Sequence, residues 1–83
     1  MNEQLRFPLD CSYRVVAEDL DGMQFVIETV LQQLGVDSPV EKGARSAKGN
    51  YITYRITVRV HSLEQMNQID AELRNIQGVK MVL

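Results

Sequence analysis

A chain of 83 residues and 9.5 kDa holds one domain, with no cleft between lobes. Area scaling gives a folded surface of roughly 5,000 Å² against roughly 13,800 Å² unfolded, enough for one modest core. Nine basic and eleven acidic side chains leave a net charge of -2, so the chain as a whole is not a general polyanion binder; one cysteine and one histidine exclude an internal disulfide framework and a zinc cluster.

The first residues carry Glu3, Arg6 and Pro8 with no apolar run, unlike a signal peptide, and no stretch approaches the ~20 apolar residues of a membrane span. With an unpaired Cys11, a cytoplasmic protein is expected. Residues 1–10 read as an N-terminal arm that packs through Phe7 or Leu9. From Cys11 to Glu18 the pattern alternates, with Tyr13, Val15 and Ala17 on one side and Ser12, Arg14, Val16 and Glu18 on the other. Period two means a strand with one buried face.

Asp19-Leu20-Asp21-Gly22 breaks that strand. Asp21 is placed to cap a helix, with Gln24 at the reciprocal position of a capping box. Met23, Val26, Ile27, Val30, Leu31 and Leu34 then form a helical stripe, and Gly35 stands where a terminating glycine belongs. Asp37-Ser38-Pro39 is turn-like. Val40 to Arg45 suits a short polar edge strand, and Ser46 to Asn50 a hairpin loop.

Tyr51 to Val60 is the clearest strand. Ile52, Tyr54, Ile56, Val58 and Val60 alternate with Tyr51, Thr53, Arg55, Thr57 and Arg59. Ser62 and Gln65 form a second capping box, and Leu63, Met66, Ile69, Leu73 and Ile76 line the helix that follows. Gly78 stops it, and Val79 to Leu83 reads as a last strand. The order βαββαβ, with right-handed crossovers, predicts a single ferredoxin-like α+β domain: a four-stranded antiparallel sheet, both helices on one face, the other face open.

Phe7-Pro8 ahead of the first strand, Ser46-Ala47-Lys48-Gly49-Asn50-Tyr51 leading into the third, and the ending Val79-Lys80-Met81-Val82-Leu83 together resemble the YbeD-like family of small bacterial proteins. The resemblance spans nearly the whole chain. It implies a fold close to the ACT regulatory domains, which bind small effectors such as amino acids, and it implies no catalytic residues. ACT domains place a glycine, often after Asp-x-Pro, at the turn from strand one to helix one. Asp21 and Gly22 occupy that turn here, without the proline. They are the candidate effector turn; the plain alternative is a glycine that merely permits a tight helix start.

The chemistry-bearing residues do not assemble into a catalytic set in the sequence. His61 lacks a nucleophile beyond Ser62, which is explained as a cap, and Cys11 has no activator in view. Glu18, Asp19 and Asp21 are a loose acidic cluster at a helix start rather than a metal site. Lys48-Gly49 resembles the start of strand three in an RNA-recognition motif. The stacking positions hold Asn50 and Ile52, so nucleic-acid binding of that type is disfavoured. No enzyme activity, cofactor or metal is expected.

Charge is more telling. Met1 to Lys42 holds three basic and eight acidic residues, net −5; Gly43 to Leu83 holds six and three, net +3. If strands one and three are the central pair, Arg14, Arg55 and Arg59 meet on the open face, with Lys48 and Tyr51 at one end and Lys80 on the same side. Glu18 is the only acid on that side of strand one. This surface is expected to take an acidic protein partner or a small anionic metabolite. Exposed Val16, Tyr51 and Val82 on the same face leave a homodimer open.

Overall fold

Alternation in two ten-residue strands decides the architecture. The structure, a computed structural model, describes residues 6–83. Its elements are β1 (Leu9–Glu18), α1 (Met23–Gln33), β2 (Val40–Arg45), β3 (Tyr51–Val60), α2 (Leu63–Arg74) and β4 (Val79–Val82). β1 and β3 pair antiparallel along their whole length, from Leu9↔Val60 to Glu18↔Tyr51. β2 and β4 flank them, giving the order β2-β3-β1-β4. This is the ferredoxin-like βαββαβ sandwich.

One face of the central pair is sealed. Tyr13, Val15 and Ala17 of β1 and Ile52, Tyr54, Ile56, Val58 and Val60 of β3 pack in one core with Met23, Ile27 and Leu31 of α1, and with Ile69 and Leu73 of α2. Burying each large side chain contributes roughly 1.5–3 kcal/mol before entropy is charged against it. The helical stripes are narrower than the sequence pattern suggests. On α1 the fully buried residues recur every fourth position, Met23, Ile27 and Leu31, while Val26 lies on the flank at 42% exposure. On α2, Leu63 directly follows the cap, outside the stripe that runs from Met66 through Ile69 to Leu73, and is 51% exposed.

The two helices start differently. At α2 the Ser62 Oγ accepts from the Gln65 backbone N–H at 3.0 Å, as the capping box requires. Gln65 Oε1 takes the N–H of His61 at 2.7 Å, one residue upstream of the usual position. At α1 Asp21 does not cap. Gly22 occupies the cap position with φ 81°, a left-handed conformation that suits glycine, and no side chain caps the helix. Gln24 instead donates from Nε2 to the Val40 carbonyl at 3.1 Å, tying α1 to the edge strand β2.

Three placements differ from the sequence pattern. β1 begins at Leu9, so Leu9 and Asp10 belong to the sheet rather than to an arm. Lys80 is the extra residue of an irregularity in the β1–β4 ladder and has no partner on β1. The irregularity also shifts the alternation: Val82 pairs with Val15 and is buried, and Met81 and Leu83 are the exposed hydrophobic residues of this edge.

Candidate functional site: the open face of the sheet

The open face presents Asp10, Ser12, Arg14, Val16 and Glu18 from β1, opposite Arg59, Thr57, Arg55, Thr53 and Tyr51 from β3. Arg14 stands directly across from Arg55. The Arg14 N–H donates to the Leu83 carbonyl at 3.0 Å, and the Leu83 N–H donates to the Arg14 carbonyl at 2.8 Å. Both backbone groups of Arg14 therefore face β4, which makes Arg14↔Arg55 a non-hydrogen-bonded pair with side chains about 4.5–5.5 Å apart at Cβ. Like charges in that relation are destabilising. Among the described residues neither guanidinium has an ion-pair partner within reach. Glu41 of β2 is opposite Arg55 on the other side without closing an ion pair.

The remaining basic residues separate from this ridge. Arg59 lies about 13 Å away, four residues along the strand. Its Nε is 3.4 Å from the Asp10 carboxylate. Asp10 reaches it because β1 starts at Leu9, so Glu18 is not the only acid on that side. An exposed pair of this kind contributes little stability, but it does neutralise Arg59. Tyr51 lies about as far in the opposite direction, four residues from Arg55 along β3. Lys48 is exposed in the β2–β3 hairpin loop, and Tyr51 is half-buried opposite Glu18.

That end of the sheet adjoins the β1–α1 turn. The Asp19 N–H donates to the Asn50 carbonyl at 3.1 Å. The Asp19 carboxylate is ion-paired to Arg45, whose guanidinium also donates to the Gly49 carbonyl. A shallow depression of about 380 Å³ is lined here by Glu18, Asp19, Leu20, Gly49, Asn50 and Tyr51. Gly22 itself faces open space: nothing lies within 4 Å of where a Cβ would sit.

Burial and the neighbouring Asp10 push the Cys11 thiol above its ordinary range, away from the thiolate a nucleophile needs. Ser62 Oγ is engaged as a cap. No group of three or more His, Cys, Asp or Glu is placed to hold a metal ion among the described residues. Among them, too, no helix is long and apolar enough to cross a membrane.

A helix-backed sheet with one open face defines an ACT-like α+β domain of the ferredoxin type. The chain belongs to the family described as a protein of unknown function, DUF493, whose model matches residues 2–83. It is similar to the UPF0250 protein YbeD of Salmonella newport: 38% identical over 85 residues, covering 100% of this chain and 95% of that protein. Among solved structures, protein HP0495 from Helicobacter pylori superposes with a TM-score of 0.84 at 16% identity, over 99% of this chain and 88% of that one. The ACT domain from the GTP pyrophosphokinase of Chlorobium tepidum superposes with a TM-score of 0.66 at 26% identity, over 89% and 94%.

Sequence reasoning missed Asp10 and Leu83 as neighbours of the basic residues. The signal for Asp10 was present: extending the period-two pattern two residues upstream puts it on the side of Ser12 and Arg14. Nothing in the sequence shows that β4 changes phase before Leu83.

Proposed function

We propose that this protein is a non-enzymatic regulatory or interaction domain that binds an acidic partner segment or a small anion at the Arg14–Arg55 ridge. One observation carries the reading: two arginines are held directly opposite one another on the central strands, with no acid ion-paired to either among the described residues. A fold has no need of that arrangement, which costs stability until an anion arrives. A planar guanidinium presents paired N–H donors to a carboxylate or phosphate, so two together favour such groups. The centre of the surface is narrower than charge counting suggests, since Arg59 is paired with Asp10.

Amide NMR titration with a hexaglutamate peptide and with inorganic phosphate tests it. Signals at Arg14, Arg55 and their neighbours should shift, with affinity falling as salt rises. The double variant Arg14→Glu plus Arg55→Glu should keep the fold, because both side chains point outward, and lose the response. Undiminished binding by that variant would move the site to the β1–α1 turn.

A second reading, an ACT-type amino-acid sensor, is favoured by the likeness to the Chlorobium ACT domain and by the depression that Glu18, Asp19 and Leu20 line where the chain leaves β1 for α1. Glu18 lines that depression and would repel an effector carboxylate, whereas Asp19 is already paired with Arg45. A thermal shift with an amino acid that survives Arg14→Glu plus Arg55→Glu would favour this second reading.

A further inference from the structure

The arginine ridge divides the open face into two unlike depressions, both lined by Arg14 and Arg55. On one side the nearby side chains are those of Ser12, Glu41 and Thr57, a polar set that includes a carboxylate. On the other side lie Val16, Gly43, Ala44, Thr53 and Leu83 around about 280 Å³, their side chains apolar but for one hydroxyl.

The second depression exists because of an irregularity in β2. Its ladder with β3 pairs Val40 with Ile56, Glu41 with Arg55 and Lys42 with Tyr54, then resumes only at Arg45 with Ile52. Gly43 and Ala44 fall in the gap. Gly43 passes so close to β3 that a Cβ would meet the Thr53 carbonyl oxygen at 2.7 Å. Small side chains at 43 and 44 keep the space open, and the exposed Leu83 walls it on the β4 side.

We propose that this depression binds an aliphatic carboxylate: its carboxylate on the Arg14–Arg55 ridge, its short hydrocarbon tail over Val16, Ala44 and Leu83. The inference rests on the reading of the ridge as an anion site and adds the ligand class. Apolar walls with a few convergent polar groups at one end suit such a molecule. The chemistry also distinguishes it from an amino acid. An ammonium beside the ligand's carboxylate would stand next to two guanidiniums, and like charge disfavours it there.

The test is an amide NMR titration of the full chain with isocaproate, acetate and leucine, the last having the isocaproate skeleton plus an ammonium. Isocaproate should move the signals of Val16, Ala44 and Thr53 and bind roughly tenfold more tightly than acetate, the effect of taking about two methylenes out of water. Leucine should bind more weakly than isocaproate. Ala44→Leu, at an exposed position, should fill the depression and bring isocaproate down to the affinity of acetate. Arg55→Gln should weaken both. Acetate equal to isocaproate in the unaltered protein, or leucine at least as tight, would overturn the tail site while leaving the ridge as an anion site. No response to either carboxylate, to hexaglutamate or to phosphate would overturn the ridge as well.

Discussion

β3 contributes one set of side chains to each face of the sheet, and the two sets meet opposite fates. Ile52, Tyr54, Ile56, Val58 and Val60 are at most 2% exposed, whereas Tyr51, Thr53, Arg55, Thr57 and Arg59 stay partly or fully open. The buried set carries the folding energy, so any replacement there is felt as a cavity or a clash. The open set is almost free of that duty, and residues on it can be arranged for a partner at small cost to the fold. Arg14 facing Arg55 is an arrangement that only the open face can carry. On the helix side its equivalent would be two unpaired buried charges, which no domain of this size tolerates.

Substitutions can break or sharpen that contrast. The largest effect is expected from Ile56→Ala, which should cost about 2–5 kcal/mol in chemical denaturation. Its open-face neighbour Thr57→Ala should stay within about 0.5 kcal/mol. Equal effects from the two would undo the assignment of faces. Next comes Gly43→Ala. Its new methyl would press on a backbone carbonyl rather than on a flexible side chain, so β2 must shift, at about 1–3 kcal/mol. A neutral result would show that the edge strand yields freely, and the shape of the open face with it.

The caps give a smaller, paired comparison. Ser62→Ala should lose about 1 kcal/mol with the bond to the Gln65 N–H. Asp21→Ala should cost far less, since α1 starts on Gly22 with no side-chain cap. Smallest and opposite in sign is Arg55→Thr. Removing one of two facing like charges should raise the melting temperature slightly at low ionic strength, by the equivalent of about 0.2–1 kcal/mol. The gain should vanish as salt rises. A loss of stability instead would mean that Arg55 supports the fold and is not held in reserve for an anion.

Where a local pattern and the tertiary packing agree, the sequence is a sufficient guide. The ten-residue alternation of Tyr51 to Val60 has one period and one strongly apolar side, so β3 has only one way to lie on a helix layer. Ser62 and Gln65 sit within one turn of each other, and their capping bonds need no distant partner. The fold class, the central strand pair and the meeting of Arg14 with Arg55 across it were legible for that reason.

Other features depend on residues far apart in the chain. Asp21 has the chemistry of a cap, but the chain enters α1 through a left-handed Gly22, and Gln24 is drawn to the Val40 carbonyl. Asp10 neutralises Arg59 only because Leu9 extends β1 opposite Val60. β4 is four residues long, too short for its alternation to fix a register. Its irregularity against β1 decided that Val82 goes inward and that Met81 and Leu83 face out. The alternating side chains of the two long strands, by themselves, determined which face is closed and which residues lie on the open one. Which of those charges stay unpaired, and how deep the surface is beside them, was decided by strand ends and edge irregularities, because registers at sheet edges are set by contacts between segments and not within them.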